Sequence, residues 1–290
     1  MGEETPTQRN TGNVGPDFLC IGAQKAGTGW LYEQLRAHPD FWMPPLKELH
    51  YFDRLGRARA GKKRDRLETA REGARDERDI RFLEAMKTLC AQSQIDLPTY
   101  AALFAPKSSL ISGDITPGYS TLQEDIIQRI IAYFPNLKVI FIARDPVERA
   151  WSQLSMWVRH GLINPPDLTD ADMVTRNLER PEIVARSSPS KTVARWRKCI
   201  RPDQFQIYFF DDLKRNPAAL RRDIIQNLGG DPEKPSGDLK PDHNAKAGKA
   251  KLPLSNEMRS TLARFFENEL KACATELGAA ATEWPARYGF

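Results

Sequence analysis

Short apolar runs alternate with amphipathic stretches along most of this chain. Phe18-Leu19-Cys20-Ile21 is an apolar run stopped by Gly22, and a helical pattern through Trp30, Leu31 and Leu35 follows at once, so the segment reads as strand, turn, helix. Leu110-Ile111-Ser112 ahead of Gly113-Asp114, Val139 to Ile142, and Phe205 to Phe210 have the same character, that of short strands buried in a parallel sheet. Between the second and third of these, Ile126, Ile127, Ile130, Ile131 and Phe134 recur at helical spacing until Pro135-Asn136 stops them, which makes a βαβ unit. Pro146 then suits the first turn of a helix whose face continues through Val147, Ala150, Trp151, Leu154 and Val158. Further helices are expected through Leu213, Leu220 and Ile224, and from Leu254 to Leu277, where Met258, Leu262, Phe265, Phe266 and Leu270 share a face. The alternation predicts an α/β fold, a parallel sheet flanked by helices on both faces.

Two stretches break this pattern and set the domain limits. Residues 1–16 are polar and rich in Gly, Thr and Pro, a loose tail without the apolar run of a secretion signal. Residues 54–81 are dense in Arg, Lys, Asp and Glu with few large apolar side chains; they read as a charged insertion, either solvated and laced with i,i+4 pairs or forming a basic lip over a site. The rest, 17–290, fits one domain, since a chain of this size can bury roughly 75% of its unfolded surface. The net charge of +5 favours anionic ligands in general, without pointing to nucleic acid. Cys20, Cys90, Cys199 and Cys273 lie far apart with no CxxC pair, so neither a metal site nor a disulfide framework is expected. No apolar stretch approaches the length of a membrane span. A cytoplasmic protein is the expectation, and its oligomeric state is not legible.

Candidate chemistry begins at Gly22-Ala23-Gln24-Lys25-Ala26-Gly27-Thr28-Gly29-Trp30, which joins the first strand to the first helix. Successive backbone N–H groups and a helix N-terminus cradle an anion at such a junction. The segment departs from the GxxxxGK[ST] signature, because Thr28 occupies the usual lysine position and the only lysine precedes Gly27. Lys25 can reach a bridging oxygen where charge accumulates as a leaving group departs, with Thr28 adding a hydroxyl donor; the alternative is a packing turn with Lys25 in solvent. In Pro44-Pro45-Leu46-Lys47-Glu48-Leu49-His50-Tyr51-Phe52 two prolines enforce an extended approach. They fix the Glu48 carboxylate as a candidate base, unless it serves only as an ion-pair partner of Lys47.

These segments, with Leu35, His38-Pro39 and Asp53, resemble the opening of the phosphoadenosine phosphosulfate-dependent sulfotransferases, nearest to the heparan sulfate-type branch and its bacterial relatives. The resemblance implies a single P-loop-type domain that binds 3'-phosphoadenosine 5'-phosphosulfate as co-substrate through Lys25, Ala26, Gly27, Thr28, Gly29 and Trp30, without a metal. It implies catalytic roles for Lys25 at the leaving group, Glu48 as base and His50 as helper. In Ile142-Ala143-Arg144-Asp145-Pro146-Val147-Glu148-Arg149-Ala150-Trp151-Ser152, Arg144 ends a predicted strand and Ser152 lies about two turns into a helix, where a guanidinium fork suits phosphate oxygens; the family's matching residues hold the 3'-phosphate. Asp242 to Lys251 resembles the family's late loop, so residues 240–252 are expected to cover the nucleotide, with Lys246, Gly248 and Lys249 as contacts.

Two departures stand out. Ile115 occupies a position where many heparan sulfate-type members carry lysine, and Ser187 to Thr192 replaces a Gly-x-Tyr pattern. The implied reaction is sulfuryl transfer to a hydroxyl or amine of a carbohydrate, glycolipid or small-molecule acceptor. The competing readings are a P-loop kinase-like phosphotransferase and a non-catalytic nucleotide-binding module.

Overall fold

The computed structural model of the chain describes residues 15–53, 60–89, 94–237, 239–243 and 252–290. The tail 1–14, residues 54–59 of the insertion, Cys90, and Lys246, Gly248 and Lys249 lie outside the described residues. Four parallel strands, β1 (Phe18–Gly22), β2 (Gly113–Ile115), β3 (Lys138–Ala143) and β4 (Phe205–Phe209), form one sheet in the order β2-β1-β3-β4. β1 is buried at every position and β3 at all but its first residue, whereas the edge strand β4 is half-covered in its middle. This is the apolar-run signature of a sheet covered on both faces.

The strand order decides where a ligand can sit. From β1 the chain steps one way to β2, then returns across β1 to β3 and on to β4. Right-handed crossovers that step in opposite directions place their helices on opposite faces. The loops leaving β1 and β3 therefore part at the carboxyl end of the sheet and open a crevice. The helix α1 (Thr28–Arg36) leaves β1. Helix α2 (Glu124–Tyr133) leads into β3, α3 (Pro146–Arg159) leaves it, and α4 (Pro217–Leu228) follows β4 and packs on α1.

Three expectations shift. The second strand is Gly113–Ile115, not Leu110-Ile111-Ser112: Ile111 makes only an isolated bridge to Phe41, and Gly113 is the residue that fits against β1, since a Cβ there would lie 2.5 Å from the Phe18 carbonyl oxygen. The helix expected through Leu213 and Ile224 is two, Phe210–Arg215 and α4, because Pro217 cannot continue the first and Asn216 caps the second through the Ala219 N–H. The C-terminal stretch likewise splits into Asn256–Phe265 and Glu267–Leu277.

The charged insertion is helical from Ala60–Glu72 and continues into Glu77–Leu89. Its far end is not solvated. Asp79 is fully buried, accepting from Trp42 Nε1 at 3.1 Å and from the Arg75 guanidinium at 2.8 and 2.9 Å, while Phe82, Leu83, Met86 and Leu89 join the core. The i,i+4 charge pairs are present as Arg75–Asp79 and Arg81–Glu77.

Asp145 ties the C-terminus to the sheet. It caps α3 by accepting from Val147 N at 2.9 Å, and Tyr288 Oη donates to it at 2.8 Å. Burial pushes its carboxyl up to about 6, with the Tyr288 hydrogen bond opposing. An acid raised in the fold contributes stability that is fully present below its unfolded value, about 3.9, and is lost as pH rises through the folded value. Denaturation midpoints measured from pH 4 to 7 should therefore fall across that window, and Asp145→Asn, which keeps the acceptor, should flatten the fall.

Candidate active site

The loop after β1 turns on backbone that side chains rarely adopt. Gly27 caps α1 with φ +89°, in the left-handed region, and a Cβ there would meet Leu213 at 2.4 Å, so only glycine fits. Lys25 stands at φ +75° without that excuse. Of the five non-glycine residues with positive φ among the described residues, three are Lys25, Glu48 and His50. Such conformations cost about 1–3 kcal/mol each and persist where the surroundings over-determine them, as at functional sites. Ala26 and Thr28 are buried in the loop and at the start of α1, and Gly29 and Trp30 are half-buried on its first turn.

Arg144 locks this loop to the end of β3. Its Nη1 donates to the Lys25 carbonyl and its Nη2 to Glu148 Oε2 at 3.1 Å, while its Cζ lies 4.4 Å from the Phe210 ring centroid. Glu148 Oε2 also accepts from Lys214 Nζ at 2.7 Å. Burial draws the Arg144 guanidinium below its ordinary value, and Glu148 works against that. Arg144 is thus both paired with its helix and turned to the loop, and its buried Nε has no hydrogen-bond partner among the described residues. Ser152 lies half-buried on α3.

The segment around 240–252 is anchored at both described ends. Trp30 Nε1 donates to the Pro241 carbonyl at 2.6 Å and Gln34 to that of Lys240 at 2.9 Å, which fixes one end on α1. Trp151 Nε1 donates to the Leu252 carbonyl at 3.0 Å, which fixes the other on α3. The two anchors stand on the two sides of the crevice.

In the Lys47–Asp53 segment, Glu48 accepts from Lys47 Nζ at 2.7 Å, and its Oε2 lies 3.4 Å from His50 Nε2. Burial alone would raise the Glu48 carboxyl, but His50 and Lys47 outweigh it and hold it well below the usual carboxylate range. The other His50 nitrogen, Nδ1, lies 2.9 Å from Asp53 Oδ2, so the imidazole stands between two carboxylates. Behind them Asp114 is fully buried and accepts from Thr116, Tyr119 and Tyr100; burial raises its carboxyl despite those three bonds. Tyr119 Oη also accepts from Tyr51 N at 3.0 Å, which ties the Glu48–Asp53 segment to β2.

The turn Pro117–Thr121 brings the two sides together. A Cβ on Gly22 would touch Ser120 and Pro117, and one on Gly118 would lie 2.2 Å from Asp53 Oδ2. Asp53, Asp114, Phe210 and the Glu148–Lys214 pair escape sequence reasoning. Asp53 falls inside the recognised motif, but only the folded chain shows its carboxylate against His50. Ile115, whose side chain marks a departure from the heparan sulfate-type pattern, is buried beside Cys20 in the sheet. Among the described residues no group of three or more His, Cys, Asp or Glu is arranged to hold a metal ion, and no helix is long and apolar enough to cross a membrane.

Fold and site together define an α/β protein with a glycine-containing strand-to-helix loop at a topological switch point. The sequence profile of the sulfotransferase family matches residues 16–233, and the chain belongs to that family. Human carbohydrate sulfotransferase 15 is 29% identical over 160 residues, 47% of this chain and 26% of that protein, and the rat protein is 28% identical over the same length. The chain thus spans about a quarter of the length of the curated relatives it matches. Among solved structures, a sulfotransferase from Alicyclobacillus acidocaldarius superposes with a TM-score of 0.64 at 20% identity, over 93% of this chain and 98% of that one. A sulfotransferase domain from the curacin biosynthetic pathway gives 0.53 at 16% identity, over 88% and 98%. At such identities they establish the fold.

The expected cytoplasmic location does not stand. The curated relatives are carbohydrate sulfotransferases, Golgi membrane enzymes rather than cytoplasmic ones. Scattered cysteines do not outweigh that finding.

Gly118→Ala should displace Asp53 from His50, because the clash falls on the tip of a movable side chain. The expected outcome is a near-unchanged melting temperature with at least a tenfold loss of sulfuryl transfer, roughly 1.4 kcal/mol of barrier; melting scans and initial rates on one preparation check it.

Proposed function

We propose that this chain transfers a sulfuryl group from 3'-phosphoadenosine 5'-phosphosulfate to a carbohydrate hydroxyl by in-line displacement. The observation that carries the reading is the left-handed backbone shared by Lys25, Glu48 and His50, a kind of strain that recurs at functional sites. The donor suits the crevice: an anion there would offset the buried guanidinium of Arg144, whose Nε has no partner among the described residues.

Each residue then has a defined task. The loop N–H groups, Lys25 and Thr28 hold the phosphosulfate, and Arg144 with Ser152 holds the 3'-phosphate. Glu48, kept ionised by His50 and Lys47, takes the acceptor's proton as its oxygen bonds to sulfur. The sulfur–oxygen bond to the nucleotide breaks, and Lys25 stabilises the phosphate oxygen that leaves. Because Lys47 weakens Glu48 as a base, the acceptor must draw that lysine away.

The acceptor approaches beside the insertion. A cavity of about 480 Å³ is lined by Tyr32, Arg36, Leu46, Lys47, Arg66 and Thr69, among others. Arg66 donates to the carbonyls of Lys47 at 2.6 Å and Glu48 at 3.4 Å, which favours the basic-lip reading of the charged stretch. The carbohydrate class is taken from the curated relatives' name.

Incubation with labelled donor and pools of candidate acceptors, followed by mass analysis for an added sulfuryl group, tests the proposal; transfer to none of them counts against it. Glu48→Gln should keep binding of 3'-phosphoadenosine 5'-phosphate while transfer falls roughly 10²–10⁴-fold. Undiminished turnover in that variant removes Glu48 as the base. Lys25→Ala should lose transfer beyond any loss of donor binding, and a chelator should leave the reaction intact.

A further inference from the structure

Arg149 is one of the largest fully buried side chains, 1% exposed. Its Nε donates to the Gln24 carbonyl at 3.4 Å, and its Nη1 to the Ile183 carbonyl at 3.3 Å and to Ser187 Oγ. Its Nη2 is buried with no partner, and no carboxylate pairs with it among the described residues. The neighbouring charges that bear on it are those of Arg186 and Arg144, both of its own sign; burial and that repulsion bring the guanidinium down to about 9. Arg186 Nη1 donates to Gln24 Oε1 at 3.0 Å and Arg144 to the Lys25 carbonyl. Three guanidiniums therefore converge on two consecutive residues of the phosphate loop.

A buried cation solvated only by neutral acceptors costs free energy unless an opposite charge arrives. Here the loop lies directly in front of it. We propose that Arg149 is a positioning residue of the donor site, a buried charge held behind the phosphate loop whose counter-charge is the polyanionic nucleotide itself. The inference rests on the reading of that loop as a nucleotide site. It also gives a task to Ser187, which stands where this chain departs from the Gly-x-Tyr pattern: its hydroxyl accepts from Arg149 and keeps the guanidinium against Gln24. Because Arg149 bonds the back of the loop rather than its cradle, it acts through the field and through the Gln24 backbone.

Calorimetric titration of the full chain with 3'-phosphoadenosine 5'-phosphate, adenosine 5'-monophosphate and inorganic pyrophosphate tests this. Arg149→Met should weaken the bisphosphate about tenfold or more, the scale of unit charges interacting over about 10 Å at an effective dielectric near 20. The monophosphate, with less charge, should lose less, and Arg149→Lys should restore most of the bisphosphate affinity. Equal losses for both nucleotides would mean a distorted loop, and no loss would mean a charge that does not reach the ligand; either overturns the proposal. Arg149→Gln keeps a donor toward the Gln24 carbonyl without the charge, and decides the matter if the methionine variant does not fold. Failure of both to fold would show that the charge serves the fold alone, which also overturns it. Wild-type protein that binds pyrophosphate in an Arg149-dependent way but not the bisphosphate upholds the anion site and sinks the nucleotide reading. Binding of none of the three anions sinks both.

Discussion

The carboxyl end of this sheet depends on the contact between the Arg144 guanidinium and the carbonyl of Lys25. β1 and β3 are neighbours whose connections part in opposite directions, so nothing in the ladder itself joins the loop after one to the helix after the other. Arg144 does so from a buried position, with Glu148 and the Phe210 face neutralising and covering its charge. This buried guanidinium is satisfied in part, by the Lys25 carbonyl and by Glu148, and its Nε has no partner among the described residues.

Cationic and acidic groups concentrate on different sides of the crevice, with Glu148 the acid paired to Arg144 on the loop side. Guanidiniums of Arg144, Arg149 and Arg186 gather on the loop side, whereas the carboxylates of Glu48, Asp53 and Asp114 gather around His50 and β2. The turn Pro117–Thr121 stands between them, its glycine giving Asp53 room to approach His50. A site so divided suits a reaction in which an anion is held on one side and a proton removed on the other. The two basic residues that intrude on the carboxylate side, Lys47 and Arg66, come from the base segment and from the charged insertion.

Much of the scaffold was legible because its signals are local. Val139 to Ile142 form an unbroken apolar run, as a strand covered on both faces requires, and Asp145-Pro146 supplies a cap and a first-turn proline to the helix that follows. The second strand was misplaced by three residues because Leu110 and Ile111 are as apolar as a strand requires, while the actual pairing turns on the missing Cβ of Gly113 against Phe18. The break at Asn216-Pro217 was written in the chain and outweighed by the helical spacing around it. The insertion reads as solvent-facing by composition, yet its Asp79 is buried because Arg75 and Trp42 meet it there.

By itself the sequence determined the α/β alternation, the glycine-containing loop after β1 and the residue types able to carry the chemistry, since each depends on neighbours within a few positions. Only the tertiary structure decided that Asp53 backs His50, that Arg66 reaches the Glu48 segment, and that Arg149 is buried with no carboxylate beside it among the described residues. Those depend on which distant segments the strand order brings to the same end of the sheet, and on how much water each charge loses there.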